Sequence, residues 1–386
     1  MFLHDVPAAE YSDPWALPFT DRFARLRQGS TRVAYYYHHL DNSTFRYRCY
    51  NMAQVLGALV PGVSAAWFSA ADADGLDRVV DAADILVICR ARYTDRLNRM
   101  VHRARGLGRR VVYDIDDLVF DTDYAHLVMN TLAQEPTEEA WEHWFAYFAR
   151  LGATLKLCDR VIVTNDYLAD RVRAFAAKDT RIVPNFLNRE QLDLSRRIHD
   201  AKAASGYARD GHLHVGYFSG TPTHARDFEI IAPALARLLD AIPEMVLRLV
   251  GFLDPPPILD RHAARIERLP LLDFVNLQRA IGSTELNLVP LQDNAFTNCK
   301  SELKYFEAGI VGTVTIASPT FTYRAAIHDG QNGYLARAHE WEYKLACLTD
   351  RFGAYAGVAE QAFEDSVARY AWTAQPPAIA AALLAG

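Results

Sequence analysis

The sequence predicts an α/β protein built from two doubly wound domains that face a central cleft. Short runs of β-branched and aromatic residues alternate with longer helical patterns, and a second series of the same kind follows a polar break. Near-continuous apolar strands separated by helices are typical of a parallel sheet covered on both faces. The 386 residues are also enough for two domains of about 150 residues or more.

The first series supplies the strands and helices of one sheet. The predicted strands are Val33–His38, Val63–Ser69, Ile85–Cys89, Val111–Asp114, Val161–Thr164 and Arg181–Val183. The helical patterns between them include Tyr47–Leu59, Thr94–Gly106, Glu138–Leu157 and Tyr167–Ala177. Because helices separate the strands, we expect the strands to run parallel.

A polar and charged segment, 188–211, has little apolar periodicity, and we interpret it as the linker between the domains. The second series comprises strands His212–Phe218, Val246–Gly251, Glu285–Val289 and Thr313–Ala317 and helices Glu229–Ala241 and Glu302–Ile310. We therefore predict a first domain over 1–200, a second over 201–365, and a C-terminal helix within 366–386 that returns to the first domain. Folds of this kind bind ligands at the carboxyl ends of their strands.

Composition and charge exclude several classes of function. The 41 Lys and Arg residues against 47 Asp and Glu residues give a net charge of −6, which disfavours a general nucleic-acid-binding surface. The five cysteines include no CxxC pair, which fits a reducing compartment and offers no zinc framework. Segment 1–14 does not resemble a signal peptide, and no apolar run approaches the about 20 residues of a membrane span. We expect a cytoplasmic protein.

Segment 298–310, Asn-Cys-Lys-Ser-Glu-Leu-Lys-Tyr-Phe-Glu-Ala-Gly-Ile, is the most informative. Its apolar residues are spaced as the buried stripe of a helix: Leu303, Phe306 and Ile310. Ser301 is suited to cap this helix, and Glu307 falls on the apolar stripe, where a carboxylate is costly unless it is satisfied. Two interpretations of Glu307 stay open, a structural buried acid and an acceptor for ligand hydroxyls. In the second, Lys300 and the free amides at the helix start form an anion site.

The loop over 218–227 is a second candidate anion site, because it follows a strand and precedes a helix. Its small residues let the backbone approach a ligand, and Arg226 offers a two-pronged guanidinium for phosphate oxygens. An ordinary strand–helix turn is the alternative, since the loop is neither a Walker loop nor GxGxxG. The lack of a GxGxxG sequence after a strand also disfavours a nicotinamide-dependent dehydrogenase.

These two segments resemble the retaining GT-B glycosyltransferases of the group-1, family 4-like class, which use nucleotide-sugar donors. The resemblance covers about 210–350 well and includes segments 312–318 and 329–335. It implies two Rossmann-like domains, the first for the acceptor and the second for the donor. The donor-site residues it implies are Gly220, Thr221, Arg226, Leu271, Lys300, Ser301, Lys304 and Glu307, with Arg226 and Lys300 on the diphosphate and Glu307 on the ribose.

Two positions depart from the pattern of that class. Thr221 stands where a first basic residue holds the diphosphate, and Cys299 stands where a glutamate touches the donor sugar. Lys300 and Lys304, which flank the helix start, can restore the missing positive charge. A subset of the class has the same Cys-Lys-Ser-x-x-Lys-x-x-Glu helix, so the resemblance still implies activity.

The first half contributes candidates at the ends of its strands. Three carboxylates follow or end the fourth strand: Asp114, Asp116 and Asp117. A metal site, an acceptor-hydroxyl contact or base, and a loop-capping network stay open for them, and we select Asp117 as the candidate for the acceptor. Arg46 meets either a phosphate, an acidic acceptor or solvent. His38 and His39 are either acid–base groups or packed side chains.

Two further patterns concern surfaces. Eight arginines cluster around the helix after the third strand and are opposed there only by Asp95: Arg90, Arg92, Arg96, Arg99, Arg103, Arg105, Arg109 and Arg110. They predict either peripheral contact with an anionic membrane, at its inner face, or a solvated helix face. Aromatic residues at 141, 144, 145 and 148 form a helical stripe that we expect to pack in the core or between the domains.

The resemblance implies a hexosyltransferase-like, metal-independent enzyme that uses no cofactor. It would move a sugar with retention from a nucleotide-diphosphate donor, of UDP or GDP type, to a hydroxyl of a glycan or a lipid-linked glycan. Charge would grow on the leaving diphosphate, where protein cations stabilise it. The alternatives are a nucleotide-sugar-binding scaffold subunit without turnover and a GT-B-shaped sugar-nucleotide epimerase.

Overall fold

The computed structural model describes residues 1–41, 43–220, 225–350 and 352–385, and it confirms the α/β fold with two parallel sheets. The strands of the first sheet are β1 (Thr31–Tyr37), β2 (Val63–Ser69), β3 (Ile85–Cys89), β4 (Arg110–Asp114), β5 (Arg160–Val163) and β6 (Asp179–Ile182). They pair in the order β2-β1-β3-β4-β5-β6, and every pair is parallel. The carboxyl ends of these strands therefore meet at one edge of the sheet.

Helices cover both faces of the first sheet because its strands are apolar on both sides. In β1, Val33 and Tyr35 are buried on one face, and Ala34 and Tyr36 are buried on the other. The α-helices of this half are α1 (Phe19–Leu26), α2 (Asn51–Leu59), α3 (Leu76–Ala82), α4 (Asp95–Gly106), α5 (Ala125–Thr131), α6 (Glu138–Leu157) and α7 (Asp166–Ala176). A short π-helix, Arg46–Tyr50, precedes α2, a form that is frequent at functional sites.

The linker predicted over 188–211 contains a helix, α8 (Arg189–Ala204). Asn188 caps this helix by accepting a hydrogen bond from the Gln191 amide at 2.9 Å. Leu192 and Ile198 are buried on its inner side. The prediction of a linker without apolar periodicity is corrected, because the buried face of α8 is largely polar and leaves little apolar spacing to detect.

The second sheet also has six parallel strands among the described residues, but their order differs from that of the first. Its strands are β7 (Leu213–Ser219), β8 (Met245–Gly251), β9 (Ile266–Leu269), β10 (Leu286–Val289), β11 (Val314–Ala317) and β12 (Tyr334–Leu335). They pair in the order β12-β11-β10-β7-β8-β9, again all parallel. The α-helices are α9 (Ala225–Glu229), α10 (Ala232–Ala241), α11 (Asn276–Gly282), α12 (Ala295–Asn298), α13 (Leu303–Gly309), α14 (Phe321–Ala326), α15 (Trp341–Asp350), α16 (Tyr355–Tyr370) and α17 (Pro376–Leu383).

The single helix predicted over 229–241 is wrong at its start. α9 ends at Glu229, and α10 begins at Ala232 with Pro233 in its first turn. Proline cannot donate the amide hydrogen bond that a continuous helix would need there, so the two helices stay separate.

The chain passes between the two domains near Leu187 and again near Ala371, and these two passages lie side by side. The amide of Leu187 donates to the Tyr370 carbonyl at 2.8 Å, and Leu187 pairs with Ala371. Beyond this point α17 packs on α2 and β6 of the first domain. Arg110 and Arg160 donate to carbonyls at the end of α17, at 2.6 and 2.9 Å.

Half of the eight arginines pair with carboxylates elsewhere in the chain. The ion pairs are Arg90–Asp116, Arg103–Asp81, Arg105–Asp159 and Arg109–Asp84. Among these arginines, only Arg96 and Arg99 make no hydrogen bond, ion pair or ring contact with the described residues. The other four arginines have no carboxylate partner among the described residues, and contact with a membrane stays a prediction. No helix within the described ranges is both long and apolar enough to cross a lipid bilayer.

The aromatic stripe on α6 is buried only in part. Phe148 is in the core of the first domain and Trp144 packs against that core, whereas Phe145 is 43% exposed. The expectation of core or interdomain packing is wrong for Phe145, because it lies on the exposed face of α6 with Glu142 and Ala149.

Candidate functional site

A cavity of about 460 Å³ lies between the carboxyl ends of the two sheets. The first domain lines it with Ser43, Arg46, Tyr47, Asp116, Asp117 and Asn185. The second domain lines it with residues in or just after β7, β8 and β10, with residues that follow β9, and with the segment around α13. The predicted site residues in the lining are Asp117, Gly220, Leu271, Lys300, Ser301, Lys304 and Glu307.

Two predicted site residues are not placed in this lining. Thr221 lies outside the described residues. Arg226 donates through Nη1 to both the backbone carbonyl and the side-chain oxygen of Asn130, at 2.5 Å each. Arg226 thus contacts the first domain at the end of α5, and its role on a diphosphate stays a prediction.

Glu307 lines the cavity but is only 4% exposed. Its Oε1 accepts a hydrogen bond from the Tyr47 hydroxyl at 2.5 Å and another from Gln191 Nε2 at 3.2 Å. The guanidinium of Arg46 lies 3.5 Å from the same oxygen. The carboxylate is therefore a buried, hydrogen-bonded acid at the wall of the cavity. This agrees with both interpretations, a structural acid and an acceptor for ligand hydroxyls. Its partners come from the π-helix and from α8.

Arg46 is held between aromatic rings and polar partners. Its guanidinium donates to Gln191 Oε1 at 2.7 Å and lies 4.0 and 4.8 Å from the ring centroids of Tyr47 and Phe274. A solvated Arg46 is therefore ruled out. Tyr47 and Gln191 were not predicted; Tyr47 adjoins Arg46 in a segment that the sequence singles out, whereas nothing in the polar segment around Gln191 indicates its contact.

Two lysines bring positive charge to the cavity. Lys300 Nζ lies 3.6 Å from Asp117 Oδ2 and 4.3 Å from the ring centroid of Phe296. Lys304 Nζ lies 4.8 Å from the ring centroid of Tyr217, and within the described part of the chain it has no hydrogen bond or ion pair. Burial lowers the pKa of Lys304 to about 8, although nearby Asp227 opposes this effect. An anion beside Lys304 would stabilise its charged form.

The start of α13 differs from the prediction. The helix has seven residues and begins at Leu303 without a side-chain cap, so the prediction that Ser301 caps it is wrong. A turn between α12 and α13 directs Ser301 Oγ to accept a hydrogen bond from Asn185 Nδ2 at 3.1 Å instead. The Lys304 amide already hydrogen bonds to the Tyr323 hydroxyl. Lysine side chains, more than free amides, therefore make this region positive.

Cys299 lies in the core rather than at the cavity. Its side chain is fully buried among apolar residues of the first domain, and its carbonyl accepts a hydrogen bond from Asn165 Nδ2 at 2.8 Å. Burial raises the pKa of the Cys299 thiol far above its usual range. The thiol is therefore a packed, neutral group at the contact between the domains.

Asp114 has a structural role in the first domain. Its two carboxylate oxygens accept hydrogen bonds from Arg48 Nε at 2.7 Å and Nη2 at 3.0 Å, and both side chains are fully buried. Burial raises the pKa of Asp114 above its usual range, although Arg48 opposes this shift. Because Arg48 also donates to Asn185 Oδ1 at 3.2 Å, it connects β4 to the residue that contacts Ser301.

Asp116 and Asp117 form the acidic part of the cavity wall. Asp116 accepts hydrogen bonds from Thr44 Oγ1 at 2.9 Å and from Arg90 Nη1 at 3.0 Å. Since Lys300 faces Asp117, both carboxylates already have cationic partners, and this set of donors does not favour a metal site. The loop network and the acceptor-hydroxyl contact remain the two interpretations supported by the contacts.

His38 and His39 are exposed at the end of β1, with ring centroids 4.3 Å apart. Neither side chain is packed in the core, so that prediction is wrong. Neither is among the residues that line the cavity. The structure therefore gives no support to an acid–base role for them.

The rest of the second-domain wall is apolar. It includes Val250, Leu271, Leu272, Leu277, Ile281, Val289 and Leu291. A mostly apolar cavity with a few convergent polar groups is typical of a small-molecule site. The lysines and Glu307 lie at the polar side of this wall, so the cavity suits a ligand that has both an anionic part and an apolar part.

No protein-family model and no curated protein matches the sequence. The fold is similar to that of HepE from Anabaena in complex with UDP and glucose, with a TM-score of 0.59 and 14% identity over 90% of this chain and 98% of that chain. It is also similar to sucrose-phosphate synthase from Thermosynechococcus elongatus, with a TM-score of 0.59 and 16% identity over 89% and 95%. WaaG, a glycosyltransferase involved in lipopolysaccharide biosynthesis, matches with a TM-score of 0.58 and 13% identity over 91% and 99%. The chain therefore has the two-domain GT-B fold that these glycosyltransferases share.

Proposed function

We propose that this protein is a glycosyltransferase that moves a sugar from a nucleotide-diphosphate sugar to a hydroxyl of a glycan or a lipid-linked glycan. One observation carries the proposal: Lys300, Lys304 and Glu307 meet in one cavity opposite Asp117 of the other domain. This arrangement offers cations to a diphosphate, a carboxylate to ribose hydroxyls and an acid to the acceptor.

The charge that develops during transfer lies on the leaving diphosphate. Lys300 and Lys304 would balance it without a metal ion, because preformed cations stabilise developing negative charge strongly. Arg226 would add to them after it leaves its contact with Asn130. The acceptor hydroxyl would approach from the side of Asp117, and transfer would retain configuration without a protein nucleophile.

Glu307 would hold the ribose. Ribose hydroxyls can donate to its carboxylate as the Tyr47 hydroxyl and the Gln191 amide do in this structure. The apolar wall around Leu271 would then contact the base. The HepE complexes contain UDP and UDP-glucose, which makes UDP the first donor nucleotide to test.

Calorimetric titration with UDP, GDP, ADP and dTDP tests the proposal. We expect one of these nucleotides to bind, and we expect Glu307→Gln and Lys304→Ala each to weaken that binding at least tenfold. Arg96→Ala is the matched control, because it removes an exposed cation outside the cavity. Failure of all four nucleotides to bind would contradict the proposal.

Assays with the corresponding nucleotide sugars then separate the possible activities. We expect release of the nucleotide, slowly to water and faster with a glycan acceptor. Binding without any release would indicate a scaffold subunit, and interconversion of the donor sugar without an acceptor would indicate an epimerase.

A further inference from the structure

Arg90, the residue that follows β3, has a left-handed backbone conformation with φ of 38°. A side chain with a Cβ is disfavoured in this region, and such a conformation persists only where the surrounding structure fixes it. Here the Arg90 amide donates to the Asp114 carbonyl at 2.8 Å, which fixes the backbone against the end of β4. A costly conformation beside the cavity indicates a role for the side chain.

The Arg90 side chain lies behind the acidic wall of the cavity. Its Nη1 donates to Asp116 Oδ1 at 3.0 Å and to Thr44 Oγ1 at 3.3 Å, and its Nη2 lies 3.9 Å from Asp117 Oδ2. Asp116 and Asp117 line the cavity, whereas Arg90 is absent from the lining. Arg90 therefore touches the two acids and not the space that a ligand would fill.

Two carboxylates, Asp116 and Asp117, lie at this wall together with two cations, Arg90 and Lys300. Asp117 Oδ2 lies between Arg90 at 3.9 Å and Lys300 at 3.6 Å, so the two cations share one carboxylate. Lys300 is the cation that faces the cavity. Whatever strengthens the contact between Arg90 and Asp117 makes Lys300 easier to detach from that acid.

We propose that Arg90 is a positioning residue that holds Asp116 and Asp117 so that Lys300 remains available to the donor diphosphate. This inference rests on the proposed function. When a diphosphate binds, Lys300 turns from Asp117 to the phosphate oxygens, and Arg90 remains as the cationic partner of both acids. Binding at the donor site thereby changes the cationic partner of Asp117, the acid proposed to face the acceptor, from Lys300 to Arg90.

Calorimetry with UDP tests this role in the wild type and four variants. Without Arg90, Asp117 keeps Lys300 as its nearest cation and competes with the diphosphate, so Arg90→Ala should weaken UDP binding about tenfold. Asp117→Asn alone should bind UDP at least as tightly as the wild type. The double variant Arg90→Ala, Asp117→Asn should return to the affinity of Asp117→Asn, which a purely structural role of Arg90 would not produce. Arg90→Lys keeps the charge and should lie between the wild type and Arg90→Ala.

Urea denaturation without nucleotide tests whether the left-handed backbone conformation of Arg90 costs stability. Arg90→Gly removes the same guanidinium as Arg90→Ala but accepts the left-handed φ, so its urea midpoint should be higher than that of Arg90→Ala. Equal midpoints would overturn the inference, as would wild-type UDP affinity in Arg90→Ala or no recovery in the double variant. If the wild type binds no nucleotide, the proposed function fails, and the glycine–alanine comparison still decides whether Arg90 is held at a cost in stability.

Discussion

Burial lowers the pKa of Lys304 to about 8, so the side chain loses its charge as the pH rises through 8 unless an anion stabilises it. A bound diphosphate favours the ammonium form of Lys304. Above pH 8, where the free protein has lost this proton, UDP binding must therefore be accompanied by uptake of a proton. Raising the pH through 8 should therefore weaken UDP binding, by about tenfold between pH 7 and pH 9. Calorimetry at intervals between these values measures the change.

Lys304→Arg is the control for this pH dependence. An arginine keeps its charge throughout this range, so the variant should bind UDP with an affinity that changes little from pH 7 to pH 9. A decline in the arginine variant as steep as that of the wild type would assign the effect to another group. A flat wild-type profile would show that Lys304 does not meet the diphosphate.

The Arg48–Asp114 ion pair should contribute to the free energy of unfolding. Both side chains are fully buried, and removing one member of such a pair leaves the other as an uncompensated charge. We expect Arg48→Ala to lower the free energy of unfolding by about 3–5 kcal/mol, measured by urea denaturation. Arg103→Ala breaks an exposed pair with Asp81 at 2.6 Å and should leave the urea midpoint unchanged. Equal midpoints for the two variants would contradict a structural role for the buried pair.

Single residues differ in how far their sequence predicts their role. Glu307 could be singled out because a carboxylate on an apolar helical stripe is costly and requires an explanation. Its partners could not be identified, since Tyr47 is 260 residues away in sequence and Gln191 is 116 residues away. A pattern within one segment carries no information about contacts of that kind.

At the scale of elements, helices with apolar stripes were predictable and α8 was not. The buried face of α8 recurs with helical spacing but consists largely of polar residues: Gln191, Ser195, His199 and Lys202. Hydrophobic periodicity cannot detect such a face, because Gln191, His199 and Lys202 are stabilised by hydrogen bonds to distant residues rather than by burial of apolar area. The same reason explains why the segment resembles a linker in sequence.

Lys202 makes the contribution of α8 testable. Its ammonium is fully buried and donates to the carbonyls of Val311 and Gly312, at 2.8 Å each, and to Thr313 Oγ1 at 3.1 Å. Lys202→Met would leave these buried acceptors without their donor, so we expect a loss of about 1–3 kcal/mol in the free energy of unfolding. Arg196→Met, on the exposed face of α8, should change the urea midpoint little. A stability equal to that of the wild type in Lys202→Met would show that water replaces the ammonium.

At the scale of the whole molecule, the alternation of strands and helices predicted both sheets and the cleft between them. It could not predict how the domains contact each other around the cavity. Glu307 meets Tyr47 on one side, and Arg226 meets Asn130 on the other. These contacts depend on the relative placement of the two domains. The hydrophobic periodicity within either domain does not predict that placement. The two domains are consequently joined across the cleft by contacts of residues proposed to bind the donor.

The contact between Tyr47 and Glu307 should therefore control how often the cleft opens. Tyr47→Phe removes a hydrogen bond to a buried carboxylate, worth about 1.5–3 kcal/mol, so opening should become about tenfold more frequent or more. We expect faster amide hydrogen exchange in the π-helix and in α13, measured by mass spectrometry without nucleotide. Tyr11→Phe removes a surface hydrogen bond to Asp13 and should leave both segments unchanged. Unchanged exchange of α13 in Tyr47→Phe would mean that the domains are held together by other contacts.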